Sequence, residues 1–314
     1  MNIIRDLLAA RLGMQSELRF RGRLLSIVAF LLAAIVMQFP AWGQEPIRIG
    51  LTDVALVNDG AQELWAKYLE RTLGRPVLFV VRRSYADIQQ LLRLGDIDFG
   101  WICGYPYVID ESRGSARYVA TPEINGRPTY RILLIVPQGS PRASISDLKG
   151  QVFAFSDPDS VSFRSVVGGF VDHQSPILDL NSFFATYFFT YSHVNTVQAV
   201  ADGLADGGSV DGQVWEILSR LAPDVTQKTR VIAQSELYGL PPIVASSRVP
   251  EETLILMRKI LTEMVSEPEG ERILAELHVD RFTVQSNALY ASIRNGPAAT
   301  NQISGEIGRG FQAQ

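Results

Sequence analysis

The chain has 314 residues, of which 46% are hydrophobic and 20% are charged. This composition excludes a disordered chain, a collagen-like chain and a small disulfide scaffold. The formal net charge is −4, which argues against a general nucleic-acid binder, because such proteins need a basic face. The single cysteine, Cys103, permits no disulfide within the chain. The three histidines stand in no short metal-binding motif, so we expect neither a metal nor another cofactor.

The first 43 residues have the composition of an export signal. Residues 1–23 carry five arginines against two acids, and residues 24–39 carry no charge. Small residues at Ala41 and Gly43 then suit a cleavage site. The uncharged run is shorter than the roughly 20 residues that a membrane helix needs. We therefore predict a cleavable signal peptide over 1–43, with an uncleaved N-terminal anchor as the alternative. Only this segment is expected to meet the membrane.

The remaining chain alternates short apolar runs with segments of helical periodicity. In chain order these predict a strand over 47–51, a helix over 61–73, a buried strand over 77–81, a helix over 85–94, strands over 97–102 and 131–136, and a helical turn that ends at 150. The same rhythm restarts with a strand over 152–155, a helix over 163–171, a strand over 187–191, a helix over 194–204, a strand over 209–211, a helix over 214–221, strands over 230–233 and 243–245, and helices over 251–265 and 268–277.

Strands separated by helices of this length imply parallel sheets in open α/β domains. Two such sets predict a two-lobed α/β fold with a cleft between the lobes. Residues 44–130 and 235–314 would form lobe 1, and residues 131–234 would form lobe 2, joined by a hinge of two segments. Ligands of open α/β sheets bind at the carboxyl ends of strands, which would face each other across the cleft.

The loop Asp157-Pro158-Asp159-Ser160-Val161-Ser162 is the most informative segment. It lies between a predicted strand and a predicted helix, and Asp157-Pro158 favours a turn. Ser160 and Ser162 then fall at the helix start, where free backbone N–H groups and hydroxyls can bind an anion. Simple N-capping by serine is the alternative.

Motifs for catalysis are scarce in this chain. It contains no G-x-S-x-G elbow, no P-loop and no dinucleotide-binding glycine motif. A hydrolase would have to use Ser160 or Ser162 with His193 and Asp211, in an order that matches no elbow pattern. We therefore do not expect an enzyme.

Five further segments, taken together with the serine loop, form a pattern that spans most of the chain. They are Arg82-Arg83-Ser84-Tyr85, Gly104-Tyr105-Pro106-Tyr107, Ser146-Asp147-Leu148-Lys149-Gly150, Thr190-Tyr191-Ser192-His193 and residues 203–211. With that loop, they resemble the phosphate/phosphite/phosphonate-binding receptors of ABC importers, which are type II periplasmic binding proteins. The resemblance extends from about residue 47 to 246.

The resemblance implies a set of ligand-binding residues in the cleft. These are Ser160, Ser162, Tyr85, Tyr107 and His193 around the anion, and Asp211 where an acid can meet an amino group of an organophosphonate, with Ser192 and Tyr105 as further candidates. These residues have structural alternatives. In these, Tyr85 only opens a helix, Tyr107 packs under a loop, His193 is a hydrogen-bonded histidine at a strand end, and Asp211 only caps the helix that follows it.

Three positions depart from the family pattern. Val161 stands where a threonine hydroxyl is usual, Phe163 replaces a glycine, and Thr52-Asp53-Val54 lacks the usual proline. These departures leave a sulfonate or a carboxylate as an alternative ligand. The resemblance implies a periplasmic receptor with a small anionic ligand and an ABC permease in the inner membrane as partners, and no nucleic acid. A ligand-sensing module of a membrane signalling protein is the alternative.

Overall fold

The structure is a computed structural model that describes residues 45–52, 59–168 and 179–296. The predicted signal peptide over 1–43 lies outside these residues, as do Asp53, Val54 and the end of the helix predicted over 163–171. Within the described part of the chain, no helix is long and apolar enough to cross a membrane.

Strands and helices alternate along the described chain. The strands are β1 (Ile47–Thr52), β2 (Val77–Arg82), β3 (Phe99–Trp101), β4 (Ala116–Glu123), β5 (Thr129–Pro137), β6 (Val152–Phe155), β7 (Thr186–Phe189), β8 (Gly207–Asp211), β9 (Thr229–Gly239), β10 (Ile243–Ser246) and β11 (Arg281–Thr283). The helices are α1 (Asp59–Leu73), α2 (Tyr85–Leu94), α3 (Gly104–Ser112), α4 (Val161–Val167), α5 (Leu180–Phe183), α6 (His193–Ala201), α7 (Gly212–Leu221), α8 (Pro223–Thr226), α9 (Glu251–Glu263), α10 (Pro268–Glu276) and α11 (Ala291–Asn295). Short 3₁₀ turns cover Ser146–Leu148, Met264–Ser266 and Asn287–Tyr290.

The helix predicted over 85–94 is confirmed with both of its ends. The Ser84 hydroxyl accepts a hydrogen bond from the Asp87 N–H at 3.1 Å, which satisfies a donor that the first turn leaves free. Gly95 ends the helix with a φ of 76°, a left-handed conformation that glycine adopts without steric penalty. This helix start places Tyr85 directly beyond the end of β2.

The strands form two mixed sheets. The first sheet has the order β11-β4-β10-β3-β1-β2, and the second sheet has the order β7-β6-β8-β5-β9. Strand β1 is parallel to β2 and β3, and β6 is parallel to β7 and β8. Strand β10 is antiparallel to its two neighbours, and so is β5. The expectation of purely parallel sheets is therefore wrong. Strands β5 and β10 each enter their sheet directly from the other sheet, without the crossover helix that a parallel neighbour requires.

The chain passes between the two sheets twice. Residues 124–128 join β4 to β5, and residues 240–242 join β9 to β10. The two passages lie side by side, because the Leu240 N–H donates to the Pro128 carbonyl oxygen at 2.8 Å.

Apolar cores cover both sheets. One core includes Trp65 of α1 and packs on the first sheet, while cores around Phe153 and Val197 lie on the second sheet. A further cluster combines Tyr85 from the first-sheet elements with Val161 from the second-sheet elements. The two halves therefore share a continuous buried contact.

Two details of the sequence interpretation are corrected by the structure. The strand predicted as buried over 77–81 is the edge strand β2, and Leu78 on it is 51% exposed. An apolar run alone does not distinguish an edge strand from a central one. The sequence interpretation assigned no helix at the position of α3, whose first turn contains Gly104 and Pro106. Proline is nevertheless tolerated in the first turn of a helix, where its missing N–H has no intrahelical partner.

Candidate functional site

Several of the predicted site residues lie at or just after the carboxyl ends of parallel strands. Strand β1 ends at Thr52, and Cys103 follows β3 closely. In the second sheet, β6 leads into Ser156 and its parallel neighbour β8 ends at Asp211. Because neighbouring parallel strands end at the same edge of a sheet, the loops after them lie side by side.

Ser156, Ser160 and Ser162 form a buried hydroxyl cluster. The Oγ atoms of Ser160 and Ser162 lie 2.8 Å apart, and Ser156 Oγ lies 3.2 Å from the first and 3.0 Å from the second. Ser160 is the N-cap of α4, since its Oγ accepts a hydrogen bond from the Phe163 N–H at 3.1 Å. None of the three side chains is exposed by more than 1%. Ser160 therefore caps α4, and the three hydroxyls lie inside the protein rather than on its surface.

The serine loop contacts elements of the first sheet directly. The Tyr85 N–H donates to Asp157 Oδ2 at 3.2 Å, and the Val161 N–H donates to Cys103 Sγ at 3.4 Å. A thiol sulfur is a weak acceptor, so this N–H at the start of α4 is only weakly satisfied.

His193 opens α6 and lies beside Asp211. The Asp211 N–H donates to His193 Nδ1 at 3.1 Å. Burial lowers the pKa of His193 to about 3, so the imidazole is neutral at pH 7. A neutral imidazole whose Nδ1 accepts a hydrogen bond carries its proton on Nε2. His193 therefore presents an uncharged N–H donor.

Two guanidinium–ring contacts connect the halves near this point. The Arg83 guanidinium lies 4.5 Å from the centre of the Tyr191 ring, and the Arg164 guanidinium lies 4.5 Å from that of Tyr105. Tyr191 has a φ of 57°, a left-handed conformation that is unfavourable by about 1–2 kcal/mol for a residue with a side chain. This strained turn sets the direction in which the chain enters α6 and positions His193.

Asp211 and Asp157 are buried carboxyl groups. Asp211 Oδ1 accepts hydrogen bonds from the N–H groups of Gln213 at 2.7 Å and Val214 at 3.3 Å, so Asp211 caps α7 as the alternative reading has it. Burial raises the pKa of Asp211 to about 7, and burial also raises the pKa of Asp157 to about 7. Each group is therefore divided between its neutral and ionised forms near neutral pH. Both carboxyls lie near Tyr85, whose pKa is raised first by burial and further by Cys103 and these acids.

A pocket opens between elements of the two sheets. It encloses about 650 Å³ when the solvent at its open mouth is included. Its polar lining comprises Tyr85, His193 and Asp211, together with Thr52 and Gln213. Ser160 and Ser162 are buried and are not among its lining residues. Among the described residues that line it, none is lysine or arginine. The rest of its wall is formed by Trp101, Ile102, Pro122, Ile124, Val214, Ile217, Leu240, Pro241, Leu277 and Val279.

Tyr107 lies apart from this group. Its hydroxyl donates to Glu111 Oε1 at 2.6 Å, and its ring centre lies 4.9 Å from that of Tyr290. Tyr107 is not among the lining residues of the pocket, because its ring packs in the buried cluster that the two halves share. Of the further candidates, Ser192 caps α6 and Tyr105 stacks with Arg164.

Replacing Tyr107 by phenylalanine is expected to lower the free energy of unfolding by about 1–2 kcal/mol, because the hydrogen bond to Glu111 is lost. Ligand affinity is expected to stay within twofold of the wild type. Thermal unfolding and calorimetric titration measure the two effects. Tyr85→Phe is the matched variant, since Tyr85 lines the pocket. A tenfold loss of affinity in Tyr107→Phe would show that this hydroxyl contacts the ligand.

Sequence reasoning missed Gln213 and Tyr130. Gln213 lines the pocket, and its Oε1 is buried without a hydrogen-bond partner. Its position two residues after Asp211, in the first turn of α7, was the available signal. Tyr130 is buried near Cys103 and Asp211, and its pKa is raised by burial and then by these groups. No sequence pattern marks Tyr130, since it is one tyrosine in a strand.

Two open α/β sheets, joined by two passages and enclosing a pocket, define a periplasmic-binding-protein-like receptor. Residues 57–290 match the family described as ABC transporter, phosphonate, periplasmic substrate-binding protein, and the chain belongs to this family. The predicted family, the two-lobed α/β fold class and the role of a substrate-binding receptor of an ABC importer are thereby confirmed.

Solved structures share this fold at low sequence identity. A binding protein component of an ABC phosphonate transporter from Pseudomonas aeruginosa is 22% identical, with a TM-score of 0.71 over 80% of this chain and 85% of that one. PhnD1 from Prochlorococcus marinus, in complex with methylphosphonate, is 19% identical, with a TM-score of 0.68 over 85% and 98% of the two chains. The periplasmic aliphatic sulphonate binding protein SsuA from Escherichia coli is 14% identical, with a TM-score of 0.57 over 87% and 95%.

Proposed function

We propose that this receptor captures a phosphonate or a closely related oxyanion between its two halves and delivers it to an ABC permease in the inner membrane. The ligand would be bound by Ser160, Ser162, Tyr85 and His193, with Asp211 beside it. The observation that carries this proposal is His193, a neutral N–H donor that lines the pocket together with Tyr85 from the other half. Neutral donors bind an oxyanion without the desolvation penalty of a buried cation.

The halves act as lobes in this proposal. Residues 44–130 with 235–314 form lobe 1 and residues 131–234 form lobe 2, and the side-by-side passages at 124–128 and 240–242 act as the hinge. Ligand contacts from both lobes favour the closed arrangement, because a ligand shifts an equilibrium by its differential affinity for the two states. The protein binds and releases its ligand unchanged and acts in the periplasm after cleavage of residues 1–43.

Calorimetric titration of the purified protein tests the proposal. Alkylphosphonates, aminoalkylphosphonates, phosphite and phosphate form the panel, with alkylsulfonates and carboxylates as competitors. We expect dissociation constants in the micromolar range or below for at least one phosphonate, which corresponds to about −8 kcal/mol. A folded protein that binds none of these oxyanions contradicts the proposal.

A sulfonate is the second candidate ligand, favoured by one observation. The Val161 side chain is buried in the cluster that joins the halves and supplies no hydroxyl. A site with one donor fewer is better matched to a monoanion. Preference for alkylsulfonates in the same titrations would establish this alternative.

A further inference from the structure

We infer that the pocket selects an oxyanion that carries an apolar substituent, an alkyl chain of several carbons or an aryl ring. Inorganic oxyanions and headgroups with a methyl or aminoalkyl substituent would then be the weaker ligands. This inference rests on the proposed function, because it assumes that the anionic headgroup sits at the polar end of the pocket.

The lining comprises five polar residues, which we call the polar end, and ten apolar residues, which we call the apolar wall. At the polar end, Tyr85 contacts Thr52 and lies near Asp211, which in turn is hydrogen-bonded to His193. Trp101 and Ile217 represent the apolar wall, one from each half of the protein. The indole N–H of Trp101 is already used, since it donates to the Pro241 carbonyl oxygen at 2.9 Å. The wall therefore offers contact area rather than hydrogen bonds to whatever lies against it.

The apolar wall is more than a surface that seals the halves against each other. The halves already touch, through the Tyr85–Asp157 and Cys103–Val161 hydrogen bonds and their shared cluster. The gap along Ile124 and the wall residues around it persists beside these contacts. An unfilled apolar gap forfeits dispersion contacts, whereas a ligand substituent of matching shape restores them.

The lining is poorly suited to an ammonium substituent. Asp211 is the one acidic residue among the described residues of the lining. Its Oδ1 already accepts two backbone hydrogen bonds at the start of α7. Another acceptor side chain of the lining is Gln213, whose Oε1 is buried without a hydrogen-bond partner and which follows Asp211 in the first turn of α7. The side chains of the apolar wall carry no acceptor, so an aminoalkyl chain directed along them would lose its hydration without gaining a partner.

The test is a calorimetric series of methyl-, ethyl-, propyl-, butyl- and phenylphosphonate, with inorganic phosphate and 2-aminoethylphosphonate as references. We expect affinity to rise about fourfold for each added methylene, or about sixtyfold from methyl to butyl. Ile217→Asn should weaken butylphosphonate about tenfold and change methylphosphonate less than twofold. Leu221→Asn is the matched control, because Leu221 is on the same helix and 60% exposed.

The outcomes separate the two claims. If methylphosphonate binds and longer chains bind no better, the apolar subsite is refuted while the proposed function stands. Preferential binding of 2-aminoethylphosphonate over butylphosphonate refutes the subsite as well. If no phosphonate of any length binds to folded protein, the proposed function fails and the inference fails with it. The wild-type series decides the matter even if Ile217→Asn does not fold.

Discussion

The double variant Ser160→Ala with Ser162→Ala is expected to bind phosphonates at least tenfold more weakly than the wild type. A hydrogen bond to a charged group contributes about 1.5–3 kcal/mol, so losing even one such bond reaches this threshold. The two hydroxyls are within 2.8 Å of each other, and a ligand oxygen that meets one lies near the other. Calorimetric titration with the best ligand of the panel measures the loss.

Stability must be separated from binding in this experiment. Removing the N-cap hydroxyl of Ser160 is expected to lower the free energy of unfolding by about 1 kcal/mol. Ser165→Ala is the matched control, because Ser165 lies on the same helix but donates to Tyr238. Unchanged affinity in a folded double variant would remove the hydroxyl cluster from the binding site and leave N-capping as its whole role.

Asp211→Asn is expected to bind an alkylphosphonate about tenfold more tightly than the wild type at pH 8, and about equally at pH 6. Because the pKa of Asp211 is raised to about 7, the carboxyl is mostly neutral at pH 6 and mostly ionised at pH 8. An ionised carboxylate on the order of 5 Å from an anion opposes it by about 3 kcal/mol at an effective dielectric of 20. The wild type avoids this repulsion by taking up a proton on Asp211, which at one pH unit above the pKa limits its loss of affinity to about tenfold. Asparagine cannot ionise, and it remains a good helix cap.

At each pH, the affinity of Asp211→Asn is divided by the affinity of the wild type. This ratio isolates the ionisation of Asp211, because protonation of the ligand affects both proteins equally. An aminoalkylphosphonate supplies the opposite control. If the ammonium group of this ligand contacts Asp211, Asp211→Asn binds the ligand more weakly than the wild type does at pH 8. An equal affinity ratio at pH 6 and pH 8 for the alkylphosphonate would show that Asp211 does not sense the ligand charge.

The sequence predicted the parts of this fold whose signals are local. Ser84 and Gly95 bound helix α2 because a capping hydroxyl and a left-handed glycine act within one turn. Strand β2 appeared buried because its apolar run resembles a central strand. Its edge position depends on the order of strands, which no local pattern contains. The direction of β10 likewise depends on where the chain returns from the other sheet.

The site residues likewise divide into those that local sequence signals could place and those that they could not. Ser160, His193 and Asp211 adjoin strand ends, so their positions could be inferred from the alternation of strands and helices. Tyr107 could not be placed, because the unpredicted helix α3 determines which way its ring points. The apolar wall could not be predicted from the sequence either. Its residues come from elements far apart in the chain, and each alone reads as ordinary core.

The two guanidinium–ring contacts bear on how long a bound ligand stays. Opening must separate Arg83 from Tyr191 and Arg164 from Tyr105, since each pair bridges the halves. Such pairs are attracted through the ring quadrupole, and Arg164 is additionally shielded from solvent. Arg83 is exposed, so salt screens its contact with Tyr191, whereas the Arg164–Tyr105 contact is shielded and keeps its strength as the ionic strength rises. The share of the dwell time that the Arg164–Tyr105 pair contributes is therefore expected to vary little with ionic strength.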